Sequence, residues 1–327
     1  MADPIVSLFA PAASAAFGTQ VAGVLGLMLS ALEEREFEGG EHKMRPLVSV
    51  RGHSTYVVHS LHGDERGSAN DRLCRLLFLV ATLKDAGAAR VSVCVPYLAY
   101  ARKDRRTKAH DPVTTRYVAQ LFEAVGTDRI VALDVHNPAA YENAFRCEAV
   151  HVTAADLLMQ NVAADSSLDY VVASPDIGGI KRARHFRELL EGRLGHGVGS
   201  AFMEKKRSDG LVTGETFVGE VANRCVIIVD DLISSGETVS RAVRACRRAG
   251  AARIEVAATH ATFASEAHAL FEADGPDVVV VTDSVALPSS FTRYLQGRLR
   301  VIEVAPRIAE AIRRLEHGGS VSELGGA

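Results

Sequence analysis

The sequence predicts an α/β protein made of two similar domains, each a mainly parallel β-sheet flanked by helices. Short apolar segments rich in β-branched residues alternate with segments of helical spacing, and fully apolar strands are typical of parallel sheets covered on both faces. In addition, the phrase AGAARVSVCV at 86–95 is echoed by AGAARIEVAA at 249–258. The echo indicates an internal duplication of one α/β domain.

The chain has 327 residues, which is enough for two domains of ordinary size with substantial cores. We predict an N-terminal domain over 1–153 and a C-terminal domain over 154–304. No low-complexity linker separates the halves. The last predicted helix, 305–318, ends at a Gly-Gly pair that is typical of a helix stop, and we expect it to pack back on the N-terminal domain.

Seven strands are predicted from apolar runs. The first is IVSLFA (5–10), and a core helix follows it in the apolar stretch 21–32. No basic segment precedes this stretch and Pro, Gly and polar residues interrupt the region, so a buried strand and helix are favoured over a signal or membrane segment. The other strands are predicted at 90–95, 129–135, 170–174, 225–231, 253–260 and 277–283.

Amphipathic helices are predicted between these strands, and Asn70-Asp71 is expected to cap the first of them. Each helix places apolar residues on one face. These residues are Leu73, Leu76, Leu77, Val80 and Leu83; Val118, Leu121, Phe122 and Val125; and Val239, Ala242, Val243 and Cys246.

The composition is ordinary for a globular protein, with 47% apolar and 24% charged residues. The net charge of −3 gives no global basic field, which argues against nucleic acid as a partner. The five cysteines are scattered without a Cys-x-x-Cys pair, a pattern that favours reduced thiols over disulfides or a zinc site. We therefore expect a cytoplasmic protein that does not bind membranes.

Two adjacent carboxylates end the predicted strand 225–231. Asp230 and Asp231 are followed by the turn SSGET (234–238) and then by helical spacing. Ligands of open parallel sheets bind beyond the carboxyl ends of strands, and a helix N-terminus attracts phosphate. A sugar phosphate fits both parts, with hydroxyls on the carboxylates and phosphate on the turn. A solvated strand end with a capped helix fits the same pattern.

A basic cluster, YARKDRRTK (100–108), follows another predicted strand. Such clusters are commonly solvated surface. After a parallel strand, in a chain of slightly negative charge, this one is better interpreted as a clamp for a polyphosphate, because arginine grips phosphate with two hydrogen bonds.

The chain resembles the ribose-phosphate pyrophosphokinase family, whose members have the phosphoribosyltransferase fold, nearly end to end. The segment VIIVDDLISSGET (226–238) looks like the phosphoribosyl-pyrophosphate binding motif of that fold. The order and spacing of the matching segments make the resemblance specific. They are FEGGE (37–41), SVRG (49–52), ND (70–71), PYLAYARKDRR (96–106), LDVH (133–136), SPDIGGIKRAR (174–184), KKR (205–207), GEVANRCVIIVDD (219–231) and APRIAEAIRRL (305–315).

The resemblance implies an enzyme that transfers the diphosphoryl group of ATP to ribose 5-phosphate with the help of Mg²⁺. It implies that ATP binds to the N-terminal domain, through Phe37, Glu41, Arg102, Lys103, Arg105 and His136. Ribose 5-phosphate is expected at Asp230, Asp231, Ser234, Ser235, Gly236 and Thr238. Magnesium is expected at His136 and Asp176, and catalysis at Lys205 and Arg207, on a mobile loop.

Some positions depart from the family pattern. Lys103 stands where glutamine is usual, Gly39 replaces an aspartate, and Glu237 replaces a small residue within the phosphate turn. Ser234-Ser235 stands for an Asp-Thr pair. Either Glu237 points outward, or it weakens the 5-phosphate site.

Two other functions stay open at this point, a non-catalytic regulatory subunit of such an enzyme and a phosphoribosyltransferase with a single substrate. Because the family shares its adenine contacts between subunits, self-association as a dimer or a hexamer is also implied.

Overall fold

The computed structural model describes residues 5–162, 167–208, 211–295 and 297–325, and it describes 205–208 and 211–216 by their backbone alone. The chain divides into two compact units. Unit 1 contains Met1–Thr153 together with Val304–Gly325, and unit 2 contains Ala154–Glu303.

Unit 1 is built around a five-stranded parallel sheet with the order β1-β4-β5-β6-β7. A separate antiparallel hairpin, β2–β3, lies between α1 and β4 in the sequence. The elements are β1 (Val6–Phe9), α1 (Ala15–Leu25), β2 (Leu32–Glu36), β3 (His42–Pro46), β4 (Ser54–Val58), α2 (Ala69–Asp85), β5 (Arg90–Val95), α3 (Thr114–Ala124), β6 (Arg129–Leu133), α4 (Pro138–Ala144), β7 (Glu148–Val152) and α8 (Ala305–His317).

Unit 2 is built around a seven-stranded sheet with the order β10-β9-β8-β11-β12-β13-β14, in which only the β9–β10 pair is antiparallel. The elements are α5 (Ala155–Asn161), β8 (Tyr170–Ser174), α6 (Ile180–Leu194), β9 (Gly199–Ser208), β10 (Leu211–Val218), β11 (Cys225–Ile233), α7 (Glu237–Arg248), β12 (Arg253–Ala261), β13 (Val278–Thr282) and β14 (Leu299–Ile302).

The two units repeat one chain path, which confirms the predicted fold class. Unit 1 begins with a strand and a helix, forms a hairpin, and then adds four parallel strands in sequence order. After α5, unit 2 follows the same order, although its β9–β10 hairpin belongs to the main sheet. The echoed phrases fall at equivalent places, the turns from α2 into β5 and from α7 into β12. Gly87 and Gly250 lie in these turns with φ of +89° and +84°, the left-handed region that glycine enters without steric cost.

Alternating side chains of β11 bury both faces of the sheet in unit 2. Val226 and Ile228 belong to one apolar core, whereas Ile227 and Val229 belong to another on the opposite face. Successive side chains of a strand point to opposite faces, so a strand that is apolar throughout must be covered twice. This explains why VIIV carries no polar residue before Asp230.

The helix α8 returns to unit 1 and packs against α1. A buried polar cluster ties it to the sheet. Glu316 of α8 accepts a hydrogen bond of 2.5 Å from the Tyr56 hydroxyl and lies 3.4 Å from Nη1 of Arg129, and the side chains of Glu316 and Arg129 are 4% and 6% exposed. Burial and the Glu316 carboxylate together raise the pKa of Tyr56 above its usual range, so its phenol stays a donor.

The predicted strands at 90–95 and 170–174 are confirmed with the same bounds, and the other five are confirmed within two residues. The helix predicted in the stretch 21–32 lies earlier, at Ala15–Leu25, and the N-cap of α2 is Ser68, which shares a capping box with Asp71. No helix in the described part of the chain is both long and apolar enough to cross a membrane. Apart from the β9–β10 hairpin, five strands were not predicted, namely β2, β3, β4, β7 and β14. They have four or five residues each, too few for a clear pattern.

Candidate active site

The end of β11 lies at a point where the chain reverses direction across the sheet of unit 2. From β8 the chain moves outward to β9 and β10, and it then returns to β11 on the other side of β8. The carboxyl ends of β8 and β11 are therefore neighbours with diverging connections. Crevices of this kind are where open α/β sheets bind their ligands.

Asp230 and Asp231 lie at this crevice, and both contact one arginine. Nη1 of Arg182, from α6, is 3.2 Å from Oδ1 of Asp230 and 3.1 Å from Oδ1 of Asp231. Burial raises the pKa of Asp230 well above its usual range and the neighbouring Asp231 charge adds to the rise, whereas Arg182 opposes it. The arginine therefore favours the ionised pair, which is the form that accepts hydrogen bonds from sugar hydroxyls.

The turn after β11 leads into a helix whose N-cap is a glycine and therefore supplies no capping side chain. Gly236 is this N-cap of α7, with φ of +75°, and the Glu237 N–H makes a long hydrogen bond of 3.4 Å to the Ser235 hydroxyl. A Cβ at Gly236 would lie 2.8 Å from Cδ1 of Leu270, so glycine is required by conformation and by space. Ser234 and Thr238 are half-buried and Ser235 is exposed. This arrangement presents backbone donors and hydroxyls to an anion.

The carboxylate of Glu237 points away from this turn. Its side chain is 73% exposed, and its Oε1 lies 3.4 Å from Nη1 of Arg241, one helical turn later. Of the two possibilities for Glu237, the structure has the outward one. The residue keeps its place at the first position of α7 without placing its charge in the anion turn.

Asp176 lies in the loop between β8 and α6, on the other side of the same crevice. It is half-buried, and its Oδ1 accepts a hydrogen bond of 3.0 Å from the Gly179 N–H. A Cβ at Gly179 would lie 2.6 Å from the Ser174 hydroxyl, so the loop is too tight for a side chain there. The second oxygen of Asp176 can face a ligand while the first holds the loop.

Lys205 and Arg207 lie in β9, within the hairpin that β9 forms with β10. Lys205 pairs with Glu215 and Arg207 with Val212, and a register irregularity follows Val212. The side chains of both residues lie outside the described part of the structure. Their assignment as catalytic residues therefore stays a prediction.

In unit 1 the three predicted ATP-binding cations differ in whether a carboxylate pairs with them. Arg102 and Arg105 are exposed, and neither guanidinium has a carboxylate partner in the described ranges. Lys103, in contrast, donates to Oδ2 of Asp111 at 2.8 Å. The sequence grouped these three residues, and the structure distinguishes the paired lysine from the two exposed arginines.

His136 follows β6 and is exposed at the carboxyl edge of its sheet. Its neighbour Asn137 caps α4 and also donates a hydrogen bond of 2.6 Å to Asp104, in the basic loop formed by Tyr100–Asp111. Two residues near this edge have positive φ, Asp134 at +37° and Tyr100 at +66°. Strained backbone of this kind clusters at ligand sites, so its presence here favours a binding role for the edge.

Phe37 and Glu41 flank the tip of the β2–β3 hairpin, and both are exposed. The Phe37 N–H donates to the Glu41 carbonyl at 2.7 Å, and the Arg35 guanidinium lies 5.0 Å from the centre of the Phe37 ring. Gly39, at the tip, has φ of +78°. An exposed ring on a hairpin offers a flat surface for stacking.

Two family models match the chain. The N-terminal domain of ribose phosphate pyrophosphokinase matches residues 6–126, and the phosphoribosyl synthetase-associated domain matches residues 203–325. The chain is also 32% identical over 324 residues to a ribose-phosphate pyrophosphokinase from Haemophilus influenzae, covering 98% of this chain and 99% of the relative. The chain belongs to the ribose-phosphate pyrophosphokinase family.

Other members of the ribose-phosphate pyrophosphokinase family are equally similar. The relative from Caldanaerobacter subterraneus subsp. tengcongensis is 35% identical, covering 94% of this chain and 93% of the relative. The crystal structure of phosphoribosylpyrophosphate synthetase from Mycobacterium smegmatis superposes with a TM-score of 0.87 at 31% identity, covering 96% of this chain and 100% of that one.

Sequence reasoning on the family pattern missed three residues that the structure places beside the predicted site. Arg182 contacts both aspartates, Asp111 holds Lys103, and Asn137 joins the basic loop to the end of β6. A signal for Arg182 existed, because it lies at the start of the helix that follows the neighbouring strand. The contacts of Asp111 and Asn137 depend on loop conformation and left no such signal.

Proposed function

We propose that this chain transfers the β,γ-diphosphoryl group of ATP to the anomeric hydroxyl of ribose 5-phosphate. The products are 5-phosphoribosyl 1-diphosphate and AMP. The observation that carries the proposal is the end of β11, where two ionisable carboxylates lie in the strand and a helix N-terminus with a glycine N-cap follows it. In a chain of this family, that combination suits a phosphorylated sugar.

Unit 2 supplies the sugar site. Asp230 and Asp231 accept hydrogen bonds from the ribose hydroxyls, which replace part of the charge compensation that Arg182 provides. The 5-phosphate binds to the backbone N–H groups at the start of α7 and to the hydroxyls of Ser234, Ser235 and Thr238. Gly236 permits the backbone to approach the phosphate closely.

Unit 1 supplies the nucleotide site. Arg102 and Arg105 bind the ATP phosphates, because exposed guanidinium groups without carboxylate partners are available for bidentate phosphate contacts. His136 contacts the phosphates from the end of β6. Phe37 stacks on the adenine and Glu41 accepts from its amino group. In an oligomer, these two residues serve the ATP of a neighbouring subunit.

The residues present are compatible with Mg²⁺ that arrives with ATP. No three His, Cys, Asp or Glu side chains among the described residues are arranged to hold a metal on their own. Magnesium is commonly bound by one or two carboxylates plus substrate phosphates, and the second oxygen of Asp176 suits this role. His136 contributes on the ATP side, directly to phosphate or through water, because imidazole is a poor magnesium ligand. When bound, the ion neutralises charge on the phosphates.

The transfer is an in-line displacement at the β-phosphorus of ATP. The anomeric oxygen forms a bond to that phosphorus, the bond from it to the oxygen bridging to the α-phosphorus breaks, and AMP leaves with the electron pair. The hydroxyl proton passes to solvent. Such reactions require positioning and electrostatic stabilisation more than a nucleophilic side chain. Lys205 and Arg207 supply cationic charge to the transition state.

Phosphorus NMR tests this function directly. The protein is incubated with ATP, ribose 5-phosphate and Mg²⁺, with and without chelator. AMP and a sugar-linked diphosphate appearing together support the proposal, whereas their absence at high protein concentration would refute it.

The same assay tests the catalytic cations. Lys205→Ala should lower kcat about 100-fold or more with ATP affinity retained, because transition-state charge stabilisation contributes on that scale. Lys206→Ala, at the adjacent position of the same strand, is the matched control and should keep its activity. Equal rates for the two variants would remove Lys205 from the mechanism.

A further inference from the structure

In the segment Tyr100–Asp111, the basic loop, the side chain of Lys103 forms an ion pair with Asp111 of the same loop. Oδ2 of Asp111 accepts from Nζ of Lys103 at 2.8 Å, from the Thr107 hydroxyl at 2.7 Å, and from the N–H groups of Thr107 and Lys108 at 3.1 and 3.0 Å. These contacts lower the pKa of Asp111, with the Lys103 hydrogen bond as the largest cause. Asp111 therefore stays ionised as the hub of the loop.

The start of the basic loop is anchored as well. Tyr100 has φ of +66°, and its carbonyl accepts from the Thr115 hydroxyl at 2.9 Å and from the Lys103 N–H at 3.1 Å. In the middle of the loop, Asp104 accepts from Asn137 at 2.6 Å, next to His136. The side chains of Lys103, Thr107 and Asp111 are thus turned to contacts within the loop and Asp104 is turned to Asn137, while Arg102 and Arg105 are exposed.

We infer that Lys103 is a positioning residue, which acts through Asp111 to hold the basic loop in the shape that presents Arg102 and Arg105, and that it does not bind the ATP phosphates itself. The inference deepens the proposed function and rests on it for the identity of the ligand. An ion pair and three further hydrogen bonds on one carboxylate fix a loop before the ligand arrives, and such preorganisation reduces the entropy lost on binding.

The departure from the glutamine usual at this position follows from the same geometry. A glutamine amide can donate a hydrogen bond to Asp111 but cannot compensate its charge. With lysine present, the carboxylate that collects two backbone N–H groups of the loop is neutralised locally. The negative charge of Asp111 is therefore offset at a place where an anionic ligand is expected.

The experiment measures ATP affinity by calorimetry with Mg²⁺ present and ribose 5-phosphate absent, for Lys103→Gln, Asp111→Asn and the double variant. Positioning predicts that both single variants weaken ATP binding by about fivefold, the upper range for an exposed ion pair, and that the double variant is no weaker than either. If Lys103 contacts the phosphates directly, Asp111→Asn should instead strengthen ATP binding, because Lys103 would no longer be paired with a carboxylate.

Lys84→Gln is the matched control. Lys84 pairs with Asp128 at 2.9 Å in the same unit, and its side chain is 31% exposed, against 34% for Lys103. This variant should bind ATP as the unmodified chain does. Lys103→Arg, which keeps the charge, should restore most of the affinity. In turnover, the Lys103 and Asp111 variants should raise KM for ATP and leave KM for ribose 5-phosphate unchanged, a split that general destabilisation would not produce.

Hydrogen exchange provides a readout that does not depend on the ligand. The Thr107 and Lys108 amides should exchange faster in Asp111→Asn and Lys103→Gln than in the unmodified chain, and no faster in Lys84→Gln. Tighter ATP binding by Asp111→Asn, or unchanged exchange of both amides, would overturn the inference. If the unmodified chain makes no AMP, the proposed function fails, and hydrogen exchange still decides whether Lys103 holds the loop.

Discussion

The glycine at the start of α7 gives a sharp prediction, because its substitution should affect both the fold and the sugar site. In Gly236→Ala the new methyl group would lie 2.8 Å from Cδ1 and 3.0 Å from Cγ of Leu270, at a φ of +75°. Gly250→Ala, near the other end of the same helix, is the matched control. Its φ is +84°, but a Cβ there would lie 3.6 Å from Ala222, an ordinary contact.

The two variants share a conformational cost and differ in a packing cost. An L-residue in the left-handed region costs about 1 kcal/mol or somewhat more. Gly236→Ala must also displace Leu270, which is buried, and overpacking of a core costs about 1–3 kcal/mol. We therefore expect Gly236→Ala to lower the free energy of unfolding by about 2–4 kcal/mol and Gly250→Ala by about 1 kcal/mol. The displaced turn should also lose a contact to the 5-phosphate.

Urea denaturation and KM for ribose 5-phosphate measure the two consequences. The loss of about one charge-assisted hydrogen bond should raise this KM about tenfold in Gly236→Ala, with KM for ATP unchanged. Adding Leu270→Ala removes the obstructing side chain, so the further effect of Gly236→Ala in that background should fall to about that of Gly250→Ala. If Gly236→Ala destabilises no more than Gly250→Ala, or if KM stays the same, the reasoning about this turn is wrong.

Two more predictions concern charged side chains. Glu316→Ala should lower the free energy of unfolding by about 3 kcal/mol, because it leaves the buried Arg129 with less charge compensation. Glu310 pairs with Arg313 and Arg314 on the partly exposed side of α8, so Glu310→Ala should lower the free energy of unfolding by less than about 1 kcal/mol. Equal urea midpoints for the two variants would contradict this prediction. Arg182→Gln should move the acid limb of kcat/KM for ribose 5-phosphate to higher pH. Without the arginine the pKa of Asp230 rises further, so the carboxylate is protonated at a higher pH as the solution is acidified; superimposable pH profiles would exclude this role.

Much of the fold was predictable because the central strands are buried on both faces. Segments such as 170–173 and 225–229 are apolar throughout, and tertiary context leaves them no alternative. The β2–β3 hairpin was not predicted as a hairpin, because LEERE and HKMRP are held partly by cross-strand ion pairs, such as Glu33 with Lys43 and Arg45. Charge pairs across strands have no period that distinguishes them from a solvated loop.

The candidate site was predictable where chemistry is encoded in adjacent residues. Asp230-Asp231 and the turn 234–238 form one continuous segment, so the sequence displays the site directly. The orientation of Glu237 and the pairing of Lys103 with Asp111 depend on rotamers and loop closure, which one sequence does not display. Arg182 is intermediate, because its residue type and helix were visible but its two contacts were not.

The path of the chain has a consequence for synthesis on the ribosome. Unit 1 needs α8, yet the residues of unit 2 lie between its sheet and that helix in the sequence. Unit 2 can therefore complete its sheet while the sheet of unit 1 still waits for the helix that supplies Glu316 to Tyr56 and Arg129. During translation, unit 1 therefore emerges first and completes its packing last. Until α8 is synthesised, nascent unit 1 exposes the apolar surface that α8 covers, and exposed apolar surface of this kind is bound by chaperones.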